Sequence, residues 1–219
     1  MKGDRGRVRH VEALDLAGHV EPGDDAARFA RWLGADPEPA GLAIISDEAN
    51  TSGFALPMAL AAAPRHTLLT LTGGSIGQGL PVATGAAIAA PDRPVLSLEA
   101  DGSALYTIQA LWTQARERLN VTTVLINNAA YAVLRMELAR TLAAPGAGQA
   151  GDRAERMLDL SHPTPDFTQL STGLGVPASR VTTVAELDQA LRQAYAEPGP
   201  HLIEAIVPPV FPPSSAGAW

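Results

Sequence analysis

Two short polar motifs in the middle of the chain carry residue types that can hold a divalent cation. Asp101-Gly102-Ser103 follows one apolar run, and Asn127-Asn128 follows another. Carboxylate and amide oxygens are ligands that Mg²⁺ accepts in proteins, usually together with water and the oxygens of a bound phosphate group. A helix that starts at the first motif would add backbone N–H groups, which favour anions. The two motifs therefore predict a site for Mg²⁺ that carries a phosphate group.

The segments around these motifs predict a β-α-β unit that positions them. Val95–Glu99 has the composition of a short apolar strand, Ala104–Arg116 has apolar residues at helical spacing, and Val121–Ile126 is β-branched and apolar. The carboxyl ends of parallel strands lie at one edge of a sheet, where ligands bind in open α/β folds, so the motifs should meet there. The structural alternative is that Asp-Gly and Asn-Asn only form turns.

The rest of the chain continues the alternation of strands and helices. Further strands are predicted at Leu42–Ser46, Thr67–Leu71, Val176–Val181 and His201–Val207. Helices are predicted from Asp24 or Asp25 to Gly34, at Phe54–Ala62, Val82–Ala90 and Val133–Leu142, from Pro165 through Leu170, and from Thr183 through Tyr195. This alternation predicts an α/β fold, namely a doubly wound, mostly parallel six-stranded sheet with helices on both faces.

The expected domain organisation is a single binding domain with loose ends. We expect an N-terminal arm and first helix over residues 1–40, the binding domain over 41–208 and a flexible tail over 209–219. The segment Ala143–Asp159 is rich in Ala, Gly and charge, so it is predicted to be mobile.

Composition excludes several classes of function. The 219 residues are 46% hydrophobic, enough for one substantial core. The net charge of −7 and the lack of a basic block argue against nucleic acid as a partner. Because the chain has no cysteine, disulfides, thiolate metal sites and a cysteine nucleophile are excluded. No apolar run has membrane-spanning length and the N-terminus lacks a signal-peptide core, so we expect no membrane contact and a cytoplasmic location.

A glycine-rich turn precedes the central unit. Four glycines occur in the seven positions from Gly73 to Gly79, which predicts positive φ or a close approach of the backbone to a ligand. The following segment, Val82–Ala90, is almost entirely small and apolar. A helix of such residues is predicted to be buried, either by tight packing on the sheet or at a subunit contact, and the second possibility predicts a homo-oligomer, most simply a dimer.

Together these motifs resemble the C-terminal, diphosphate-binding domain of thiamine-diphosphate-dependent enzymes, in the branch of acetolactate synthase large subunits and benzoylformate decarboxylases. The signature of that family is Gly-Asp-Gly, about two dozen residues, then Asn-Asn. Here Ala100-Asp101-Gly102 is followed by residues 103–126, which number 24, and by Asn127-Asn128. The Gly-Ser-Ile-Gly turn and the Gly199–Glu204 run also fit, and the departure is Ala100 in place of the first glycine.

The resemblance covers about residues 42–208 and implies the thiamine-diphosphate-binding fold, with thiamine diphosphate and Mg²⁺ as cofactors. The implied metal ligands are Asp101, Asn128 and the backbone carbonyl of Ala130. The implied cofactor-binding residues are Asn50, Thr51, Gly74, Ser75, Ile76, Gly102, Ser103 and Tyr131.

The resemblance also gives several of these residues separate roles. Gly102 and Ser103 would bind the diphosphate, the Gly74 carbonyl would accept a hydrogen bond from the aminopyrimidine, and Ile76 would be the apolar wedge that keeps the cofactor bent. Tyr131 would pack nearby. The alternatives are plain core packing for Ile76 and capping of the next helix for Asn50 and Thr51.

Finally, the resemblance implies a partner. Family enzymes carry the glutamate that activates the cofactor on a pyrimidine-binding domain, and fewer than fifty residues precede the first predicted strand, so no catalytic residue is expected in this chain. Glu48 and Glu99 should lie at the diphosphate end, where they cannot replace that glutamate. We therefore expect a component of a 2-oxoacid decarboxylase or carboligase for a small 2-oxoacid, completed by a pyrimidine-binding domain on another chain or in a missing segment. The alternative is a catalytically silent truncated domain with a structural or interaction role.

Overall fold

A single parallel sheet organises the molecule. The computed structural model describes residues 43–54, 56–61, 63, 65–143 and 152–208, so the predicted arm, first helix and tail lie outside the described residues. The strands are β1 (Ile44–Glu48), β2 (Thr67–Thr70), β3 (Val95–Ala100), β4 (Val121–Asn127), β5 (Ala178–Val181) and β6 (His201–Ile206). They pair in the order β2-β1-β3-β4-β6-β5, and every pairing is parallel. The predicted six-stranded α/β fold is confirmed.

Eight α-helices connect the strands in the described ranges. They are α1 (Leu56–Leu60), α2 (Gly79–Ala89), α3 (Asp101–Thr107), α4 (Ala110–Glu117), α5 (Ala132–Leu142), α6 (Asp152–Met157), α7 (Phe167–Gly173) and α8 (Val184–Ala196). Short 3₁₀ turns occupy Asn50–Gly53 and Thr72–Gly74. None of the helices within these ranges combines the length and apolar character needed to cross a bilayer.

Apolar side chains alternate along the strands and build a core on each face of the sheet. One cluster joins α1 and α8 to strand residues such as Ile45, Leu96 and Ile203. On the opposite face, Leu125 and Leu202 pack with residues of α2, α3, α4 and α7. Glu48 in β1 and Glu99 in β3 point to this second face, where both lie beneath the start of α2.

The helix α2 packs closely on the sheet, as its small residues allow. Gly79, Ala83 and Ala87 are buried, and the helix contacts both β1 and β3. Tight packing between helix and sheet therefore accounts for the small residues of its inner face. The predicted dimer stays a prediction, which light scattering on the purified chain would test.

The prediction of one continuous helix over Ala104–Arg116 is wrong, because the structure has two helices there, α3 and α4. The helical hydrogen-bond pattern is interrupted at Ile108 and Gln109, whose carbonyls accept i→i+3 bonds from the Leu111 and Trp112 N–H groups, although both residues keep right-handed helical dihedrals. After this break the buried face of α4 consists of Leu111 and Gln114. Trp112 lies outside this face and is 51% exposed, and the Arg116 guanidinium stacks over its ring.

The prediction of a mobile segment at Ala143–Asp159 is wrong for its C-terminal part. Residues 152–157 form α6, and Asp159 forms an antiparallel bridge with Ala130. The Tyr131 N–H donates to the Leu158 carbonyl, and the Leu160 N–H donates to the Ala129 carbonyl. Pairing with the loop after β4 orders this polar segment, which no local pattern would reveal. Residues 144–151 of the segment lie outside the described residues.

The capping box of α8 gives a first prediction about stability. Thr183 Oγ1 accepts a hydrogen bond from the Glu186 N–H at 3.2 Å, while the Glu186 carboxylate accepts from the Thr183 N–H. Thr183→Ala should lower the free energy of unfolding by about 0.5–2 kcal/mol, because a helix-terminal N–H loses its partner. Urea unfolding measures this loss. Thr141→Ala, an exposed threonine in the last turn of α5, is the matched control and should change stability by less than about 0.5 kcal/mol. Equal effects of both substitutions would contradict the assignment.

Candidate functional site

The structure brings the two polar motifs together at the carboxyl edge of the sheet. Asp101 follows β3 as the first residue of α3, and Asn128 follows the neighbouring strand β4; both are at least 95% buried. Burial raises the pKa of Asp101 to about 6, although the hydrogen bond from the Gly102 N–H and the nearby backbone N–H groups of residues 128–130 lower it. The side chain of Asp101 therefore faces the loop that follows β4.

The oxygen atoms at this point fit a magnesium ion. Asp101 Oδ1 accepts from the Gly102 N–H at 2.8 Å, whereas its Oδ2 is buried without a hydrogen-bond partner among the described residues. Asn128 Oδ1 accepts from the Ala130 N–H at 3.0 Å, and the Ala130 carbonyl accepts from the Ala132 N–H at 2.9 Å. Each of these oxygens has a further lone pair. A buried carboxylate oxygen without a donor is costly, and a cation bound there would satisfy it.

The donor set is one carboxylate, one carboxamide and a backbone carbonyl. Across the described ranges, three or more His, Cys, Asp or Glu side chains nowhere come together as a metal cluster. Oxygen donors with few charges suit Mg²⁺, which usually retains waters and takes further oxygens from a phosphate group.

Gly102 is required by the ring that covers it. A Cβ at this position would lie 2.7 Å from Cδ1 of Tyr131 and 2.8 Å from its Cε1. The aromatic ring therefore packs directly on the backbone next to Asp101, which agrees with the packing role expected for Tyr131.

A hydrogen bond between side chains joins the ends of β1 and β3. Asn50 Nδ2 donates to Ser103 Oγ at 2.8 Å and to the Glu48 carbonyl at 3.1 Å. Asn50 begins the 3₁₀ turn at Asn50–Gly53, and both of these hydrogen bonds of its amide run to neighbouring strand ends. Thr51 is buried beside it, and a cavity of about 260 Å³ lined by Asp47, Asn50, Phe54 and Leu71, among others, opens at this edge.

The glycine turn presents backbone and one apolar side chain to the open side of the edge. Gly73, Gly74 and Gly77 have φ values of 64°, 68° and 93°, which explains why glycine is needed. Ile76 is 41% exposed, so it does not belong to the core, and Ser75 is exposed as well. The Gly74 carbonyl accepts a local hydrogen bond from the Ile76 N–H at 3.0 Å.

Sequence reasoning missed what holds this turn from below. The predicted strand ended at Ser46, but β1 continues through Glu48, whose side chain is 1% exposed and points under the turn. Glu48 Oε1 accepts from the Gly77 N–H at 2.6 Å and Oε2 from the Gly79 N–H at 2.5 Å. Thr107 Oγ1 donates to the Gly77 carbonyl. The signal was the alternation Ile44, Ser46, Glu48, which puts all three on one face.

Glu99 forms a buried acid pair with Glu48. The two residues are direct neighbours in the sheet, and Glu99 is completely buried. Burial, followed by the nearby charge of Glu48, raises the pKa of Glu99 to about 10, so its carboxyl is protonated at neutral pH and can donate to Glu48. A Cβ at Gly79 would collide with Oε2 of both glutamates, which explains the glycine that begins α2.

The acid pair predicts a stability that depends on pH. The unfolded chain releases the Glu99 proton above its ordinary pKa of 4.5, while the folded chain keeps it until about pH 10. Stability should therefore fall as pH rises between these values, by up to about 1.4 kcal/mol per pH unit. The Glu99→Gln variant lacks this titrating group. The free energy of unfolding of the variant minus that of wild type should therefore increase from about pH 5.5 to about pH 8.5.

Urea unfolding of the chain without metal or cofactor measures this difference at each pH. Glu117→Gln, in which an exposed carboxylate is replaced, is the matched control and should show no such trend. A Glu99→Gln difference that is constant with pH would contradict a protonated Glu99.

Comparison with known proteins gives one family. Residues 50–205 match the model of the C-terminal TPP binding domain of thiamine pyrophosphate enzymes, thiamine pyrophosphate being thiamine diphosphate. A Mycobacterium tuberculosis protein that bears the name of an acetolactate synthase large subunit, IlvX, is 60% identical over 167 residues, which are 76% of this chain and 32% of that protein. Benzoylformate decarboxylase of Pseudomonas aeruginosa is 38% identical over 131 residues, 60% of this chain and 23% of the enzyme.

A solved structure shows the same fold. The thiamine diphosphate-dependent 4-hydroxybenzoylformate decarboxylase of Rhodococcus jostii RHA1 superposes with a TM-score of 0.65 at 30% identity, over 97% of this chain and 36% of that chain. The chain thus spans about a third or less of the length of these relatives.

Proposed function

This chain belongs to the thiamine pyrophosphate enzymes, as a C-terminal TPP-binding domain of the acetolactate synthase and benzoylformate decarboxylase type, and we propose that it holds the cofactor diphosphate through Mg²⁺ where β3 and β4 end. The observation that carries this proposal is Asp101, with a buried, unpartnered oxygen next to the loop at Asn128–Ala130. Asp101, Asn128 and the Ala130 carbonyl are the proposed metal ligands.

The remaining residues of the carboxyl edge form two groups, which we assign to different parts of the cofactor. Asn50, Thr51, Gly102 and Ser103 are the proposed diphosphate contacts, because the Asn50–Ser103 hydrogen bond joins the two strand ends beside Asp101. Gly74, Ser75 and Ile76 form the exposed turn, and we assign them to the organic part of the cofactor. Thiamine diphosphate, when bound, supplies the electron sink that allows carbon–carbon bonds beside a carbonyl to break and form. The protein residues bind and orient it.

We propose further that a pyrimidine-binding domain covers this edge and that the complete protein acts on a small 2-oxoacid. Large apolar side chains remain exposed here: Phe54 lines the cavity at 64% exposure, and Tyr106, at 61%, lies beside the turn that carries Ile76. Exposed apolar groups around a polar site are typical of an interface. The names of the relatives favour pyruvate-like or aryl 2-oxoacids as the substrate class.

Isothermal titration calorimetry of thiamine diphosphate into the purified chain tests the binding proposal. Heat is expected with Mg²⁺ present and should vanish when EDTA removes the metal. Affinity for the isolated chain should be weak and rise when a pyrimidine-binding domain is added, and release of CO₂ from a 2-oxoacid should occur only then. The absence of cofactor binding with Mg²⁺ and the partner domain both present would overturn the proposal.

A further inference from the structure

A chain of hydrogen bonds runs through the sheet from its edge strand β5 to the loop after β4. Arg180 Nε donates to Glu204 Oε2 at 2.7 Å, and Asn127 Nδ2 donates to Glu204 Oε1 at 2.7 Å. Asn127 Oδ1 in turn accepts from the Ala129 N–H at 3.0 Å. The Glu204 side chain is 1% exposed, and both of its oxygens have partners, one on each neighbouring strand.

The last member of this chain holds an unfavourable backbone conformation. Ala129 has a φ of 56°, in the left-handed region that a residue with a Cβ seldom adopts. It lies between Asn128 and Ala130, so its conformation sets the direction in which both present their oxygens. The bond from Ala129 to Asn127 stabilises the loop on its inner side, while the Leu160 N–H donates to the Ala129 carbonyl on its outer side.

The orientation of the Asn127 amide depends on what faces it. A carboxylate only accepts hydrogen bonds, so Glu204 requires the amino group of Asn127 to point toward it. The amide oxygen then necessarily points to the Ala129 N–H. A neutral glutamine in place of Glu204 has one donor and one acceptor, and Arg180 would take the acceptor. The donor would then face Asn127, and the amide of Asn127 would turn its amino group toward the Ala129 N–H.

We propose that Glu204 is a positioning residue for the metal loop: through the Asn127 amide it fixes Ala129, and thereby the oxygens of Asn128 and Ala130. This role rests on the proposed function of that loop. Arg180 has a separate role, since it compensates the buried charge of Glu204 and is itself held on its other side by Asp166, at 3.1 Å. The two residues should therefore affect different measurements.

Three variants separate positioning from simple structural support. Glu204→Gln should weaken Mg²⁺-dependent thiamine diphosphate binding about 10-fold, in the range found for groups that orient metal ligands. Arg180→Met should lower stability but keep affinity within about twofold of wild type, because the carboxylate still orients Asn127. In the double variant, Glu204→Gln with Arg180→Met, the glutamine oxygen is free to accept from Asn127, so affinity should recover.

Calorimetry and amide hydrogen exchange on the full chain provide the readouts. The Ala129 amide should exchange about 10-fold faster in Glu204→Gln than in wild type and return toward wild type in the double variant. Glu117→Gln is the control for loss of a carboxylate. Recovery in the double variant supports positioning, because a merely structural role predicts that two destabilising substitutions add.

The outcomes that overturn the inference differ from those that overturn the proposed function. If the wild-type chain binds the cofactor and Glu204→Gln has the same affinity and the same exchange rate of the Ala129 amide, the positioning role alone is refuted. A double variant weaker than either single variant would also refute it. Wild-type chain that binds no cofactor even with the partner domain would refute the proposed function, and with it this role.

Discussion

Asp101→Asn should abolish the metal-dependent binding of thiamine diphosphate, with a loss of affinity of about 100-fold or more, which corresponds to at least about 2.7 kcal/mol. The carboxylate is the only charged group among the three proposed metal ligands. Asparagine keeps the size of the side chain but replaces the buried, unpartnered Oδ2 with an amino group that cannot bind a cation. The Mg²⁺-dependent part of the calorimetric heat should therefore disappear.

Asp101→Asn should change the stability of the fold much less than it changes the affinity for thiamine diphosphate. Oδ2 has no hydrogen-bond partner to lose among the described residues, so the free energy of unfolding of the metal-free chain should change by no more than about 1 kcal/mol. Asp92→Asn, in an exposed turn, is the matched control and should keep wild-type affinity. A folded Asp101→Asn variant that still binds the cofactor as tightly as wild type does would remove Asp101 from the site.

The parts of the fold that could be predicted are those in which local sequence determines structure. The strands at Val95 and Val121 were predicted to within one residue, because buried parallel strands are continuous apolar runs. The meeting of Asp101 with Asn128 followed from the common edge of parallel strands. The departure at Ala100 is tolerated because its φ of −85° is ordinary for any residue, so this position does not need a glycine.

The parts that could not be predicted depend on contacts between distant segments. A glutamate after an apolar run suggests a polar loop, and only the pairing of β1 with β3 shows that Glu48 and Glu99 are buried side by side. The helix α6 and the bridge at Asp159 likewise depend on a loop almost thirty residues earlier. The tight turn at Ile108 likewise interrupts the hydrogen bonding of a segment whose apolar spacing is continuous. In each case tertiary packing overrides a local preference.

The position of Glu48 under the glycine turn suggests that two parts of the carboxyl edge bind different parts of the cofactor. Asp101 and the loop after β4 are proposed to bind metal and diphosphate. Gly74 and Ile76 belong to the glycine turn, and among the described residues no hydrogen bond joins that turn to either polar motif. Glu48 joins the turn to the sheet, because it accepts from two N–H groups of that turn. Disturbing Glu48 should therefore affect recognition of the organic part of the cofactor selectively.

Glu48→Gln should accordingly lower the affinity for thiamine diphosphate by about 10- to 100-fold, since a hydrogen bond to a charged group contributes about 1.5–3 kcal/mol. The glutamine oxygen can accept from Gly77 or from Gly79 but not from both, and its amino group would face the remaining N–H. Inorganic diphosphate with Mg²⁺, which lacks the organic part, should bind the variant and wild type within about twofold of each other. Competition calorimetry measures both affinities.

The neighbouring acid provides the control that isolates this effect. Glu99→Gln replaces a protonated carboxyl with a neutral amide of the same shape, so it should leave the affinity for both ligands near that of wild type. If Glu48→Gln weakens thiamine diphosphate and inorganic diphosphate equally, the turn and the metal loop are one unit, and the division of the edge is wrong. If it weakens neither, Glu48 does not hold the turn. Selective loss would show that an acid wholly inside the protein controls how the cofactor's organic part is bound.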